Sequence, residues 1–454
     1  MSNRQPEFTA QRLLQILAAL PRVNAYLVGF SGGADSTALL HALSVIRPQL
    51  EVPLTAVHIN HGLHGDAAFW QTHCEQFCER CQVPLVSLDI RPDNSAGKGL
   101  EAAARQLRYS AIEDQLAPGA GLLTAHHADD QAETLLMNLM RGSGVDGLAS
   151  MPDSRPFGKG LLQRPLLEFQ GRALRDYLRN HGVEWVEDPS NRRVEHDRNF
   201  VRHEVIPLLE QHWPGVSKRL LLTRRAMSGA RHLLEGLADE YLAQHLLHQQ
   251  VLHITSRAGT DSELFKLIVR RWMKTAAMPS IPVYRLESLF EQVCHAHPGH
   301  KVSIEWDGCT LRCFRQQLWL LPGGEVPASP VQKWPTGSSG LDLGLDIGQL
   351  EFEPRLPDDW AARLLISNRA SLNDAVVSHG GHHKRLKNIF QAAGIPTWLR
   401  DCIPLCVLDG EVAAVGDWLF SDRFTELMSA HKTGLGWRPR NALLQYVQAQ
   451  QKHR

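Results

Sequence analysis

The chain has 454 residues, 43% of them hydrophobic and 21% charged, with 48 basic side chains balanced by 48 acidic ones. That length fills two or three domains, each with its own core, and the composition excludes a disordered or fibrous chain. No apolar run reaches the length of a membrane span, and the N-terminal MSNRQPEFTAQRLL carries no signal-peptide core, so a cytoplasmic location without a membrane partner is expected.

In chain order, the first 150 residues alternate strand and helix patterns with short connections, which predicts an α/β, doubly wound parallel sheet. The expected strands are Tyr26 to Phe30, Leu54 to Asn60, Pro84 to Ile90 and Gly121 to His126. The first runs through SGGADS into the apolar helix STALLHALSVI. A strand feeding a Gly-Gly turn and a helix N-terminus presents backbone N–H groups and the positive end of a dipole, a setting for an anion. Gly32, Gly33 and Ala34 allow close approach of a ligand, Ser31 and Ser36 add hydroxyls, and Asp35 is the carboxylate of the loop. A carboxylate beside a phosphate calls for a bridging cation, and Mg2+, held by one carboxylate and phosphate oxygens, suits it. The lysine of a γ-phosphate-binding P-loop is missing.

Next comes AAFWQTHCEQFCERC, whose Cys78 and Cys81 spell C-x-x-C; with no second ligand pair at finger spacing, the cysteines are expected to pack a helix. In LEAAARQLRY, Glu101, Arg105 and Arg108 recur at three- and four-residue spacings, a helix face able to meet a phosphate or carboxylate. In TAHHADDQAET a strand ends and a helix begins, and Asp129, Asp130 and Glu133 share one face of it. Ligands of such sheets sit at the carboxyl ends of the strands, so SGGADS, HINH (with His58 and Asn60) and TAHHADD should converge on one cleft.

Beyond Trp213, VSKRLLLTRRAMSGARHLLEGLADEYLAQHLL reads as one long amphipathic helix leading into a mostly helical middle domain. Residues 322–360, rich in Gly, Pro and Ser, read as a linker, and the block after 361 as a small α+β domain. The expected division is therefore 1–213, 214–321, 322–360 and 361–454. Net charge is zero, but residues 151–235 hold 15 basic against 11 acidic side chains and residues 361–454 hold 12 against 7, so a polyanion could be gripped at separated points. Val376 to Arg400 contains no acid, and HKRLKNIFQAAGI is expected to form a helix burying Leu386, Ile389, Phe390 and Ala393 while Lys384 and Lys387 project outward.

The ordered set SGGADS, HINHGL, LEAAARQLRY, HHADDQAETLLMNLMRGSG, Arg164-Pro-Leu-Leu167, Glu187-Asp-Pro-Ser-Asn191 and Arg198-Asn-Phe-Val-Arg202 resembles the N-type ATP pyrophosphatase (PP-loop) domain of tRNA(Ile)-lysidine synthetases. The resemblance continues in HKRLKNIFQAAGIPTWLRDCIPL and DGEVAAVGDWLF, so it covers nearly the whole chain. One departure is His64, where many members carry Arg. The resemblance implies an ATP-dependent carbon–nitrogen ligase whose partners are the CAU-anticodon isoleucine tRNA and free lysine. The wobble cytidine is adenylated with release of pyrophosphate, and the lysine ε-amine then displaces AMP. It implies ATP contacts from Ser31 to Ser36, His58 and Asn60, a catalytic Asp35 holding Mg2+, and Asp130 and Glu133 holding the lysine ammonium. It further implies Arg105 or Arg108 on the lysine carboxylate or AMP, and tRNA contacts from Arg198, Arg202, Lys384, Arg385, Lys387 and Arg400. A homodimer is compatible with it. The alternatives are a tRNA thiolase of the same superfamily, favoured only by the C-x-x-C helix, and a non-catalytic nucleotide sensor.

Overall fold

The computed structural model describes residues 7–60, 67–90, 100–187, 197–294, 302–372 and 374–452, without the side chains of 67 and 100–106. The chain divides into two compact units, 1–233 and 234–454. No helix among the described residues is long and apolar enough to cross a membrane.

The first unit is built on six strands, β1 (Tyr26–Gly29), β2 (Leu54–Asn60), β3 (Leu85–Asp89), β4 (Gly121–Leu123), β5 (Ser154–Phe157) and β6 (Gly160–Gln163), in the order β3-β2-β1-β4-β6-β5. All neighbours run parallel except the β5–β6 hairpin at one edge. One face is covered by α1 (Ala10–Ala19), α2 (Ala34–Ile46), α3 (Ala67–Arg80) and α7 (Gly171–Asn180), which bury Leu13, Leu39, Phe77 and Leu178. On the other, α4 (Leu100–Gln115) sets Ile112 against Leu122, Phe157 and Leu162. Burial on both faces explains the near-continuous apolar strands. From β1 the chain winds to β2 and β3 on one side, then returns to lay β4 on the other. The order therefore reverses between β1 and β4, and α2 and α5 (Ala128–Met140) diverge from that switch point, where open α/β sheets bind their ligands. After α5 come α6 (Val145–Leu148), α7, α8 (Asp197–Phe200), a π-helical turn over Val201–Val205 and α9 (Ile206–His212). The long helix α10 (Val216–His245) matches the expected amphipathic run and crosses the boundary between the units.

In the second unit, helices Ser262–Thr275 and Val283–Cys294 pack on a five-stranded antiparallel sheet whose inner strands are Val251–His253, Gln317–Pro322 and Cys309–Phe314. Phe265, Trp272, Leu286 and Leu311 fill that core. The expected linker 322–360 is corrected by the structure. Gln332–Lys333 pairs with Leu364–Ser367, and Gly340–Asp342 and Gln349–Glu353 form a sheet with Gly434–Arg438. Trp334, Leu350 and Phe352 lie in one core with Ile366, Phe390 and Trp437, and Trp319 and Leu321 of the middle sheet share it. The glycines and prolines there punctuate short strands, which is why composition alone read as a linker.

The expected helix HKRLKNIFQAAGI begins late. Gly380 and Gly381, at φ +61° and +72°, make the two-residue turn of a hairpin between Val376–His379 and His382–Arg385, and the helix starts at Leu386. Leu386, Ile389 and Phe390 are buried as expected. Lys384 and Arg385 are neighbours on a strand, so they point to opposite faces and Lys384 does not share a helix face with Lys387.

Candidate active site

The loop after β1 is braced by its own side chains. Ser36 Oγ donates to the Gly33 carbonyl (3.0 Å) and accepts from the Ser31 amide (3.2 Å), while Thr37 Oγ1 donates to the Gly32 carbonyl (3.2 Å). Gly32 sits at φ +79°, and a Cβ there would come within 3.1 Å of Cys74 Sγ, so the turn needs glycine for both conformation and space. Below it, buried His58 sets Nδ1 2.9 Å from the Phe30 carbonyl and supports the loop from behind. From the side, the Val186 amide donates to the Gly32 carbonyl (2.9 Å), next to a recess of about 520 Å³ lined by Phe69, Trp70, His73, Glu184 and Trp185 among others. Asn60, at the end of β2, donates to Gln71 (3.1 Å).

Asp35 lies in the first turn of α2, and its Oδ1 is buried without a hydrogen-bond partner. Its Oδ2 is 3.4 Å from Nε2 of His127, a residue that the sequence reading passed over. His127 sits at the N-cap of α5: its Nδ1 lies 3.2 Å from the Asp129 amide nitrogen, and its own amide donates to Asp130 Oδ2 (2.9 Å). Burial works against a charge on this imidazole, but Asp35, Asp130 and Asp129 outweigh it and lift the pKa to about 9. His127 therefore links the loop after β1 to the helix after β4. Asp129 also accepts from the Gly171 amide (3.0 Å), where a Cβ would meet the His127 ring at 3.1 Å, so Gly171 lets α7 approach this closely. The signal for His127 was its place immediately before an acidic helix turn, the N-cap position.

Asp130 and Glu133 face one way on α5, as their spacing predicts, but they are already paired. Arg198 donates from Nε to Glu133 (2.8 Å) and from Nη2 to Asp130 (2.8 Å). Arg202 donates from Nε to Glu133 (2.5 Å) and from Nη2 to both Asp130 and Glu133 (2.9 Å each). Glu133 is only 1% exposed, whereas about a third of each arginine side chain reaches solvent. Burial pushes the Asp130 carboxyl up, but His127 and Arg198 outweigh it and hold it below its ordinary value. Burial likewise opposes the charge of Arg202, and Glu133, Asp130 and Asp35 more than offset that. Residues expected in two different sites, one for an amine and one for RNA, thus form a single four-residue cluster. The legible signal was the four-residue spacing of Arg198 and Arg202, which matches the three-residue spacing of the acids on a facing helix.

Arg108 lies exposed on α4, while His64 and the side chains of Glu101 and Arg105 fall outside the described residues. Lys384, Arg385 and Lys387 are exposed in the second unit. Arg400 is buried there, with Nε donating to the Ile395 carbonyl (3.0 Å), so it belongs to the interior and not to a basic face. Cys74 and Cys78 are buried on α3, where burial above all pushes both thiols up to about 12; such thiols are inert, as expected for helix packing and not for sulfur transfer.

Among the described residues, no group of three or more His, Cys, Asp or Glu is arranged to hold a metal. A single carboxylate with an unpartnered oxygen at a helix N-terminus does fit Mg2+, which takes one or two carboxylates and completes its shell with phosphate oxygens and water.

A braced glycine turn at the switch point of a parallel sheet, with one acid in it, defines the ATP pyrophosphatase class. In agreement, residues 6–209 match the family model of the PP-loop domain, residues 258–319 that of the TilS substrate binding domain and residues 366–437 that of the TilS substrate C-terminal domain. The tRNA(Ile)-lysidine synthase of Alkalilimnicola ehrlichii is 38% identical over 92% of this chain and 95% of its own length. That of Methylococcus capsulatus is 37% identical over 89% and 94%, and that of Xanthomonas campestris 35% over 91% and 94%. Among solved structures, a U34-tRNA thiolase from Methanococcus maripaludis aligns at TM-score 0.40 and 18% identity over 48% of this chain and 78% of that one, too distant to bear on activity. The chain belongs to the tRNA(Ile)-lysidine synthase family.

Proposed function

We propose that the protein joins free L-lysine to the wobble cytidine of the CAU-anticodon isoleucine tRNA at the expense of ATP, forming lysidine, AMP and pyrophosphate. The observation that carries this reading is the His127 bridge. It ties a loop suited to phosphate, through Asp35, to a carboxylate pair suited to a cation, through Asp130, so an activated phosphoryl group and an amine can be handled in one network.

In this reading the amides of Gly32 and Gly33 and the hydroxyl of Ser31 receive the phosphates of ATP, while Ser36 holds the turn in shape through the Gly33 carbonyl, so the donors are aimed before the reaction begins. Asp35 Oδ1 would hold Mg2+, which would supply charge neutralisation to the pyrophosphate. The cytidine ring oxygen attacks the α-phosphorus, the bond to pyrophosphate breaks, and the oxygen becomes a leaving group. The uncharged ε-amine of lysine then adds to the activated ring carbon, AMP leaves with the oxygen, and the nitrogen loses a proton. Asp130 and Glu133 attract the ammonium form and orient it. Asp130, held below its ordinary pKa by His127 and Arg198, is an anionic post, and the proton passes to solvent. Arg108 lies on the helix expected to meet the lysine carboxylate or AMP. In the second unit, Lys387 and one of Lys384 and Arg385, which point to opposite faces of their strand, contact the RNA backbone.

Incubation with unmodified tRNA, ATP and labelled lysine, followed by mass spectrometry of the nucleosides, tests this. The label is expected on the wobble cytidine with one pyrophosphate released per modification; a tRNA left unlabelled while pyrophosphate is formed would show that lysine is not the acceptor.

A further inference from the structure

If Asp130 and Glu133 receive a substrate ammonium, the place is already taken. Two guanidinium groups sit on these two carboxylates through five hydrogen bonds of 2.5–2.9 Å. Asp130 Oδ2 in addition accepts the His127 amide, so every carboxylate oxygen has a donor. The charges of the four side chains sum to zero. A lysine ammonium added to this arrangement would be a further cation against these two anions, and Asp130 Oδ1 and Glu133 Oε2 already accept two donors each. Nor can an arginine simply leave, since Glu133 is buried and a buried carboxylate without a cation is strongly disfavoured.

The geometry points to exchange: Arg198 and Arg202 are built-in occupants of the ammonium site, and lysine enters only when a phosphate draws one or both guanidiniums off Asp130 and Glu133. This rests on the lysine reading above and deepens it by making the two arginines determinants of when lysine binds. Four features support it. The carboxylate ends are held rigidly on α5, whereas the arginine side chains are about one-third exposed and their bonds to the acids use only Nε and Nη2. Arginine forks match phosphate as well as carboxylate, so the move trades one charge-assisted pair for another. And Arg202 lies close enough to Asp35 to feel its charge, so a phosphate arriving at the loop lies within its field. The π-helical turn over Val201–Val205, which carries Arg202, is a local departure from α geometry of a kind often found at functional sites. Exchange delays the amine until a phosphate, from the nucleotide or the RNA backbone, is in place.

The test is calorimetric titration of the full chain with L-lysine in four arms: alone, with a non-hydrolysable ATP analogue, with the unmodified tRNA transcript, and with both. Exchange predicts lysine binding at least about tenfold tighter in one or more phosphate-bearing arms, within the usual range of coupling between sites. Which arm responds identifies the source of the phosphate. Linkage then requires lysine to tighten that same partner by an equal factor. The Arg198→Gln/Arg202→Gln double variant should bind lysine alone more tightly than the wild type does, with the effect of the partner reduced to less than about twofold. If that variant fails to fold, the reciprocal wild-type titrations decide the matter. Lysine affinity equal within about twofold in all four wild-type arms overturns exchange and makes the arginines fixed posts, leaving the proposed reaction standing. Lysine binding in no arm, together with a product free of lysine in the mass-spectrometric assay, overturns the reaction itself.

Discussion

The phosphate loop and the carboxylate–arginine cluster lie on either side of one histidine, yet they are made in opposite ways. The loop is local. Six consecutive residues, 31–36, supply the turn, the braces and the acid, and Asp35 keeps an oxygen without a partner. The cluster is assembled from two segments more than sixty residues apart and leaves no carboxylate oxygen unsatisfied. A local anion site can stay open because backbone amides and a helix dipole cost little to leave facing solvent. A buried pair of acids cannot, because uncompensated charge in a dry site is costly, so the chain supplies its own cations.

The sharpest way to break this comparison is at the open side. Replacing Asp35 with Ala should lower ATP-dependent pyrophosphate release roughly a hundredfold, on the order of 3 kcal/mol of transition-state stabilisation, with tRNA affinity nearly unchanged. Near-normal release would remove Asp35 from the cation site.

On the closed side, Glu133→Gln removes the negative charge and one of the two acceptor oxygens shared by two arginines and should cost about 1.5–3 kcal/mol, seen in the urea midpoint of the first unit and in the lysine dependence of turnover. If the lysine dependence holds while that for ATP falls, the acids serve the metal and not the amine.

A smaller effect is expected for Gly32→Ala. The residue must keep a left-handed backbone at a cost of about 1–2 kcal/mol, with its new methyl against Cys74. Stability read from the urea midpoint should fall by that amount, and ATP affinity should fall by about tenfold at most where the strained turn shifts its amides. Wild-type affinity would mean that the turn relaxes freely and is not held in one shape by its braces.

The smallest effect belongs to the second unit, where the cations are exposed and unshared with the site. Lys387→Ala should leave ATP and lysine use alone and lower the slope of log tRNA affinity against log salt by up to about 0.7–0.9. Because Lys384 and Arg385 point to opposite faces of their hairpin, their single replacements should differ from one another, and equal effects would argue against a single RNA-facing side.

What the sequence determined by itself is what short-range chemistry encodes. The parallel α/β unit follows from apolar strands alternating with helices, the phosphate loop from SGGADS, and the shared face of Asp130 and Glu133 from helical spacing. Even the Gly380-Gly381 hairpin was legible, since two glycines between β-prone residues mark a two-residue turn, but the apolar spacing that follows drew the helix too far upstream. The strands within 322–360 were hidden because short strands separated by Gly and Pro have the composition of a linker until their partners are known. Arg198 and Arg202 on Asp130 and Glu133, His127 bridging to Asp35, and the burial of Arg400 were decided by the tertiary structure alone. A charged residue carries the same signal in sequence whether it meets solvent, RNA or another side chain. Only the folded chain sets which opposite charge lies within hydrogen-bond reach, and how dry that place is.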